Sequence, residues 1–343
     1  MKTPKISAVV LAAGKGTRMK SGRAKVLHEL FFKPMLHHVL DAVTAADIQH
    51  TAVIVGHQRH EVQASLEDSP VGYQFTPVVQ EEQLGTGHAV LCAESSCSAG
   101  AADMVMILCG DTPLIRPETL QAMIDRHLRT GAVLTLMTTL LEDPFGYGRI
   151  LTDDRGGVAA IVEQKDATEK QRAIREINAG IYLADREFLF TALQQVGTNN
   201  AQGEVYLTDI VAIAAGQGHR VEKLVHSPAI DVLGVNSRVE LARAHTELQL
   251  RHNRKMMLSG VTMFSPETIL ISPDCTVGQD SMLQAGVQIS GASEIGSRVQ
   301  LDSGVILRNC RIGDNAVVGA NSVLQNCTIE EGALVPPLTF CSK

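Results

Sequence analysis

Residues 8–30 read AVVLAAGKGTRMKSGRAKVLHEL, an apolar run that passes directly into a basic loop rich in glycine. The short apolar run predicts a strand buried on both faces, as in parallel sheets. Gly14 and Gly16 let backbone N–H groups approach an anion closely, and Arg18 and Lys25 add positive charge. A triphosphate-binding loop explains more of this stretch than a plain strand-to-helix turn, a Walker A motif or a dinucleotide fingerprint does. We therefore predict an α/β fold that opens with a strand and a nucleotide-binding loop.

The region up to about residue 235 alternates short apolar runs with amphipathic stretches of helical length. The candidate strands are Ile6–Ala12, Thr51–Val55, Met104–Cys109, Ala132–Thr138, Val158–Glu163 and Ile177–Ala184. The candidate helices are Met35–Ala46, His88–Cys97 and Pro117–Arg129. This alternation predicts a Rossmann-like α/β domain, a mostly parallel sheet with helices on both faces. Because ligands of such sheets bind beyond the carboxyl ends of the strands, we expect functional residues just after them.

A different period governs the rest of the chain. Aliphatic residues recur at every sixth position, with two slips of one residue: Ile271, Val277, Leu283, Ile289, Ile295, Leu301, Leu307, Ile312, Val318, Leu324, Ile329 and Val335. This is the hexapeptide pattern of a left-handed parallel β-helix of about three to four coils, whereas the turns of a β-sandwich are longer and irregularly spaced. The charged helical pattern in between predicts a linker helix. The predicted division is 1–236 for the α/β domain, 237–260 for the linker helix and 265–343 for the β-helix.

Composition excludes several functions for a chain of 343 residues with a net charge of −7. Nucleic-acid binding is not expected, because it needs a basic surface and usually stacking aromatic residues, which make up only 3% here. No apolar run approaches the roughly 18 residues of a membrane span, so we expect no membrane partner. Lys2 and Lys5 before the first apolar run are compatible with a short signal peptide, but a buried strand explains the run better. We expect a cytoplasmic protein whose seven cysteines are free thiols, without a zinc site.

Two further loops carry polar groups suited to a nucleotide. The segment QEEQLGTGH at 80–88 could surround a polar ligand, although an ordinary helix N-terminus capped by Thr86 is the simpler explanation of this segment alone. Asp111 directly follows the candidate strand Met104–Cys109 and Gly110, where a Mg²⁺ ligand beside nucleotide phosphates is expected. A turn before Pro113 explains this aspartate equally well.

Three polar or glycine-rich segments adjoin later strands: Gly146–Arg149, Glu163–Asp166 and Ile177–Gly180. Asn and Glu side chains at strand ends suit the hydroxyl and amide groups of a sugar, although each segment by itself also suits a turn. Asn236 is either the cap of the linker helix or a second metal ligand.

In combination and in order, seven motifs make the chain resemble the bacterial bifunctional N-acetylglucosamine-1-phosphate uridylyltransferase/glucosamine-1-phosphate acetyltransferase family. The motifs are LAAGKGTRM (11–19), KVLH (25–28), QLGTGHA (83–89), GYGRI (146–150), NNAQGE (199–204), TDI (208–210) and GVN (234–236). The resemblance covers nearly the whole chain. It implies a nucleotidyltransferase that transfers UMP from UTP to N-acetylglucosamine 1-phosphate, with Mg²⁺ as cofactor. The products are pyrophosphate and UDP-N-acetylglucosamine, a precursor of cell wall and lipopolysaccharide, and the implied assembly is a homotrimer formed through the β-helix.

The resemblance also implies roles for residues at matching positions. Arg18 and Lys25 correspond to a phosphate clamp, and Asp111 and Asn236 to the Mg²⁺ ligands. Nucleotide and sugar contacts fall on Leu11, Ala12, Ala13, Gly14, Gln80, Gly85, Thr86, Gly110, Gly148, Glu163, Asn178 and Asn236. Two positions depart from the family pattern: Ala24 stands where Pro is usual, and Cys109 stands where Tyr is common, a change that bears on sugar contacts.

The family's β-helix runs beyond the length of this chain, and its distal coils hold the acetyl-coenzyme A site. We therefore expect no acetyltransferase activity. Two other functions stay open at this point: a glucose-1-phosphate nucleotidyltransferase, and a non-catalytic subunit that binds sugar nucleotides. Glu163 and Asn178 argue against the first, and the intact set of phosphate and metal residues argues against the second.

Overall fold

The computed structural model of the protein describes residues 4–342, which form two compact units. The first unit runs to Glu240 but leaves out Leu30–Phe32, and these three residues group with Leu241 and the residues after it in the second unit. The helix Arg238–Leu258 lies within the segment 237–260 that the sequence assigns to a linker helix. Within residues 4–342, no helix combines the length and the apolar character needed to cross a bilayer.

The first unit is built on a nine-stranded sheet. In chain order the strands of this region are β1 (Ile6–Leu11), β2 (Glu29–Leu30), β3 (Lys33–Pro34), β4 (His50–Val55), β5 (Thr76–Val79), β6 (Met104–Cys109), β7 (Leu134–Leu140), β8 (Arg149–Thr152), β9 (Val158–Val162), β10 (Glu176–Asp185) and β11 (Val221–Val225). The order across the sheet is β11-β7-β10-β6-β1-β4-β5, with β8 paired to β10 and β9 paired to β8. The strands β2 and β3 form a separate short pair.

The centre of this sheet is parallel and one side of it is not. The strand β1 runs parallel to β4 and β6, and β4 runs parallel to β5, which confirms the predicted parallel core. The strand β10 is antiparallel to β6 and β7, and β8 and β9 form an antiparallel pair. The connection from Thr152 to Val158 is too short for a crossover helix, so these two strands must run in opposite directions. The candidate strands Val158–Glu163 and Ile177–Ala184 therefore form the antiparallel part of a mostly parallel sheet.

Helices cover both faces of the sheet. They are α1 (Met35–Ala45), α2 (Arg59–Glu67), α3 (Thr86–Leu91), α4 (Glu94–Ala99), α5 (Pro117–Thr130), α6 (Glu169–Arg172), α7 (Arg186–Leu193) and α8 (Asp209–Gly216). Neighbouring residues of β1 enter different cores: Val10 packs with α1 and α5, whereas Val9 packs with α7 and α8. The single helix expected at His88–Cys97 is instead α3 followed by α4. It breaks at Ala93, whose N–H donates to the Val90 carbonyl three residues back.

The second unit contains a parallel β-helix and, from Leu241 onward, the helix α9 (Arg238–Leu258). Its strands are β12 (Thr262–Met263), β13 (Leu270–Ile271), β14 (Thr276–Val277), β15 (Met282–Leu283), β16 (Gln288–Ser290), β17 (Glu294–Ile295), β18 (Gln300–Leu301), β19 (Ile306–Arg308), β20 (Arg311–Ile312), β21 (Val317–Val318), β22 (Val323–Gln325), β23 (Thr328–Ile329), β24 (Leu334–Val335) and β25 (Phe340–Ser342). They form three parallel sheets, β12-β15-β18-β21-β24, β13-β16-β19-β22-β25 and β14-β17-β20-β23. The predicted β-helix is confirmed.

The hexapeptide residues stack in register inside the coils. Leu283 pairs with Leu301 and Leu301 with Val318, and all three are buried. The first slip in the repeat falls at one corner. There Asn309 lies beside Gly291, and the Asn309 side-chain oxygen accepts a hydrogen bond from the backbone N–H next to that glycine. A Cβ on Gly291 would lie 1.9 Å from this oxygen, so the shorter corner requires a glycine in the coil before it.

Candidate active site

A cavity of about 320 Å³ opens at the carboxyl ends of β1, β5 and β6 in the first unit. Most of the residues that the sequence assigns to nucleotide binding line it: Leu11, Ala12, Ala13, Gly14, Lys25, Gln80, Gly85, Thr86 and Asp111. Gly110 is not among the lining residues; it lies beside β1 at the end of β6, where its N–H donates to the Leu11 carbonyl at 2.9 Å. The cavity lies where parallel sheets bind ligands.

The glycines of the loop after β1 have different tasks. Gly16 has a φ of 59°, and a Cβ there would lie 2.4 Å from the Lys25 Cβ. Only glycine therefore allows the loop to turn back against Lys25. Gly14 has no atom within 4 Å of the place where a Cβ would be, so its backbone faces open space at the cavity.

Four predicted residues meet at the mouth of this cavity. The Lys25 ammonium pairs with the Asp111 carboxylate and donates to Asn236 Oδ1 at 2.7 Å. The same Asn236 oxygen accepts a second hydrogen bond from Arg18 Nη2 at 2.8 Å. Arg18, Lys25, Asp111 and Asn236 thus form one cluster, which we call the phosphate cluster.

Backbone contacts bring distant parts of the chain into the phosphate cluster. The Val235 N–H donates to the Asp111 carbonyl at 2.8 Å, which places the next residue, Asn236, beside Asp111. A Cβ on Gly234 would lie 3.1 Å from Asp111 Oδ1, so glycine leaves room for the carboxylate. The Glu240 carboxylate, in the first turn of α9, accepts from the Asn236 N–H at 2.6 Å and fixes its backbone.

The donor atoms of the phosphate cluster fit a magnesium ion. Asp111 and Asn236 offer a carboxylate oxygen and an amide oxygen, the hard ligands that Mg²⁺ prefers. The Lys25 ammonium contacts both residues, so a positive charge already occupies the position between them. Among residues 4–342 there is no group of three or more His, Cys, Asp or Glu side chains placed to hold a metal. A Mg²⁺ ion at Asp111 and Asn236 therefore needs oxygens of water and substrate phosphates as its other ligands.

The other wall of the cavity is a loop tied to β1 by side-chain amides. Gln80 is buried, and its Nε2 donates to the Gly85 carbonyl at 3.1 Å. Gln83 Nε2 donates to the Ala13 carbonyl at 2.8 Å. Gly85 has a φ of 113°, and a Cβ there would lie 2.5 Å from the Val205 carbonyl oxygen. These contacts give the wall a fixed set of polar groups that suits the flat, polar edge of a nucleobase.

Gly148, Glu163 and Asn178 lie outside the residues that line the cavity, but the fold brings them together. The Asn178 N–H donates to the Gly148 carbonyl at 2.9 Å, and a Cβ on Gly148 would lie 3.3 Å from Glu163 Oε1. Burial raises the pKa of Glu163 above its ordinary value. Cys109, which lines the cavity, places its Sγ 3.7 Å from the Gly180 carbonyl oxygen, two residues after Asn178. The group therefore adjoins the cavity on the side of Cys109.

A bulge in β10 orients Asn178. The pairing of β10 with β7 shifts register between Asn178 and Tyr182, and Gly180 between them has a φ of 75°. Because the strand bends there, Asn178 Nδ2 reaches the Tyr182 hydroxyl at 2.6 Å. Asn178 Oδ1 accepts from the Gly180 N–H at 3.0 Å, so both ends of the amide are held.

Sequence reasoning missed several residues of this region. Gln83 and Glu204 line the cavity, and both belong to motifs noted in the sequence, although no role was assigned to them. Burial, with the charges of Glu240 and Asp111, raises the pKa of Tyr147, in the GYGRI motif, to about 12. Tyr182 gave no signal, since its contact with Asn178 depends on the bulge.

Two family profiles match the chain. The MobA-like NTP transferase domain matches residues 8–175, and the bacterial transferase hexapeptide with six repeats matches residues 292–326. A bifunctional protein GlmU of Desulfotalea psychrophila is 50% identical over 317 residues, which cover 92% of each chain. A bifunctional protein GlmU of Pelobacter propionicus is 42% identical over 97% of this chain and 72% of its own length.

A solved structure shares the fold of much of the chain. It is the crystal structure of a putative glucose-1-phosphate thymidylyltransferase from Bacillus anthracis in complex with a sucrose. It covers 71% of this chain and 94% of its own, with a TM-score of 0.58 and 21% sequence identity. This likeness concerns the fold alone.

Proposed function

The chain belongs to the family of bifunctional GlmU proteins, and we propose that its first unit acts as a UDP-N-acetylglucosamine pyrophosphorylase. The enzyme is a nucleotidyltransferase that transfers UMP from UTP to N-acetylglucosamine 1-phosphate and releases pyrophosphate. The observation that carries this proposal is the phosphate cluster, in which Arg18, Lys25, Asp111 and Asn236 meet at the mouth of the cavity.

The chemistry needs positioning rather than a proton acceptor. The attacking oxygen of the sugar phosphate is ionised at neutral pH, so no histidine is required as a base. The obstacle is to bring two anions together and to stabilise the charge that builds up on the leaving pyrophosphate. Lys25 and Arg18 supply positive charge at this point, and the backbone of Gly14 leaves space for phosphates to approach.

Asp111 and Asn236 are the residues that would hold a divalent cation. When bound there, Mg²⁺ supplies electrostatic stabilisation of the phosphates and a fixed template for the two substrates. Lys25, whose ammonium contacts both side chains, would then direct its N–H donors to phosphate oxygens, because the oxygens of Asp111 and Asn236 would face the metal. Glu240 keeps the Asn236 backbone in place throughout this exchange.

One side of the cavity recognises the nucleotide, and the other side recognises the sugar phosphate. The wall formed by Gln80 and Gly85 receives the uracil, because its amide and backbone groups are already held in place. Glu163 and Asn178 recognise the hydroxyl and amide groups of the sugar. Cys109 lines the cavity next to Gly180, and its small, partly buried side chain takes up little of the space on the sugar side.

A pyrophosphate-release assay tests this function. It compares N-acetylglucosamine 1-phosphate with glucose 1-phosphate, each with UTP and Mg²⁺. We expect faster release with the N-acetylated sugar. Preference for glucose 1-phosphate would instead identify a glucose-1-phosphate nucleotidyltransferase. Binding of both ligands without pyrophosphate release would identify a non-catalytic sugar-nucleotide subunit.

The β-helix supports the proposed homotrimer. One of its three sheets presents polar residues to solvent: Thr276, Glu294, Arg311 and Thr328. The other two expose the large apolar side chains of Met282, Leu334 and Phe340. Exposed apolar patches commonly mark interaction surfaces. Light scattering should return three times the mass of the chain, and a monomer mass would contradict this assembly.

A cytoplasmic location stays a prediction.

A further inference from the structure

Two cysteines of the second unit lie in direct contact. The Cys327 thiol donates to the Cys341 sulfur, with the two Sγ atoms 2.9 Å apart. A disulfide bond measures about 2.0 Å between the sulfurs, so a small rotation of either side chain closes the gap. All seven cysteines are free thiols in the structure, which makes this pair available for chemistry.

The pair joins two consecutive coils of the β-helix. Cys341 lies on β25, where it is the ladder partner of Leu324 on β22, and Cys327 follows β22. The two cysteines are separated by 14 positions in the chain. A bond between them would therefore close most of one coil into a covalent ring and fasten β25 to the coil before it.

Burial distinguishes the two sulfurs. Cys341 is partly exposed, whereas Cys327 is 3% exposed, and burial raises the pKa of the Cys327 thiol. A small oxidant therefore reaches Cys341 first. Cys310, one coil earlier, is equally buried, and its Sγ lies 3.3 Å from the Arg308 and Leu324 carbonyl oxygens. The Cys327 Sγ also lies near a carbonyl oxygen, that of Gln325 at 3.1 Å, but it is in addition within 2.9 Å of Cys341 Sγ. The neighbouring thiol that faces Cys341 is thus that of Cys327.

We propose that Cys327 and Cys341 are a reversible thiol–disulfide pair that responds to peroxide. The Cys341 thiolate attacks one oxygen of hydrogen peroxide, which forms a sulfenic acid and releases hydroxide. The Cys327 sulfur then attacks the Cys341 sulfur, the S–S bond forms, and the sulfenic oxygen leaves as water. In sum, two thiols and one hydrogen peroxide give one disulfide and two water molecules. Thiol–disulfide exchange with a small dithiol reverses the reaction.

The expected effect is on the stability of the β-helix. A cross-link stabilises a fold mainly because it limits the conformations of the unfolded chain. The oxidised protein should therefore melt at a higher temperature than the reduced protein, and a reducing agent should restore the lower value.

The test treats the full chain with hydrogen peroxide, blocks the remaining thiols by alkylation and maps the peptides by mass spectrometry. We expect a peptide pair joined through Cys327 and Cys341, two hydrogens lighter than the free peptides and separable by dithiothreitol. Cys341→Ser should remove the cross-link and the rise in melting temperature. In Cys327→Ser, the sulfenic acid formed on Cys341 is no longer attacked by Cys327, so peroxide should oxidise it further to the sulfinic acid.

Cys92→Ser is the matched control, because Cys92 is a partly exposed thiol of the first unit. This variant should form the cross-link as the unaltered protein does. The proposal is overturned if Cys341 of the unaltered protein is oxidised to the sulfinic acid without a cross-link. A cross-link through Cys310 instead of Cys327 would also overturn it.

Discussion

The Lys25 ammonium contacts two residues of the phosphate cluster, Asp111 and Asn236. Lys25→Ala should reduce turnover about 10²-fold or more, because one electrostatic donor at the reacting phosphates is lost. Steady-state pyrophosphate release measures the effect.

Lys33→Ala is the control for this variant. Lys33 also pairs with an aspartate, Asp41, but it does not line the cavity. Its replacement should leave turnover nearly unchanged. Equal rates for Lys25→Ala and Lys33→Ala would show that the clamp is assigned to the wrong residue.

Substitutions of two glycines in the nucleotide-binding loop distinguish an effect on nucleotide binding from an effect on folding. Gly14→Ala should fold normally, because no atom lies within 4 Å of the new Cβ, but it should weaken nucleotide binding where the methyl group enters the cavity. Gly16→Ala should lower the melting temperature, since its Cβ would collide with Lys25 at a positive φ. Calorimetry of UTP binding and thermal unfolding of both variants provide the check, and the reverse pattern would contradict the geometry.

Tyr182 positions a proposed sugar contact without lining the cavity. Tyr182→Phe removes the hydroxyl that accepts from Asn178, so the amide loses one of its two anchors. One hydrogen bond is worth about 1 kcal/mol, and we expect the KM for the sugar phosphate to rise about threefold to tenfold. The KM for UTP should not change. A uniform loss of activity toward both substrates would point to a general structural defect instead.

The sequence predicts helices and strands that have a local periodic pattern, but it does not predict which strands pair with each other. The apolar run that begins at Ile6 predicts β1, and the six-residue repeat predicts the coils of the β-helix. Both are local patterns, because the buried residues recur at the spacing that each structure requires. The place of β10 between β6 and β7 depends on contacts far apart in the chain, and no local signal encodes it. The same holds for the site. A sequence motif contains Gly14 and Lys25, whereas the contact of Tyr182 with Asn178 depends on the bulge of β10, which no local pattern predicts.

The helix α9 closes one end of the β-helix core. Asn253 is fully buried, and its Nδ2 donates to the Pro266 and Ile269 carbonyls at 2.7 Å each. Asn253→Leu should reduce the free energy of unfolding by about 1–3 kcal/mol, because two hydrogen bonds are lost and each carbonyl keeps only one donor: the Gln249 amide for Ile269 and the Ile269 N–H for Pro266. Urea unfolding measures this change. Arg254→Ala, at an exposed position of the same helix, should be nearly neutral, and a neutral Asn253→Leu would refute the capping role.

For the whole molecule, buried histidines predict how stability depends on pH. Burial lowers the pKa of His28, His37 and His127 below the ordinary value of 6.5. The unfolded chain therefore binds protons first as the pH falls through about 6.5, and this favours unfolding. Urea midpoints should fall between pH 7.5 and pH 6.0. His127→Gln should weaken that dependence, and an unchanged midpoint in the unaltered protein would contradict the argument.

In the proposed function, the cations and oxygen ligands at the carboxyl edge of the first sheet hold both phosphorylated substrates. A crystal structure with UDP-N-acetylglucosamine and Mg²⁺ tests it most directly. We predict the uracil beside Gln80 and Gly85, the sugar beside Glu163 and Asn178, and the metal on Asp111 and Asn236. A nucleotide bound elsewhere, with no metal at Asp111 and Asn236, would contradict it.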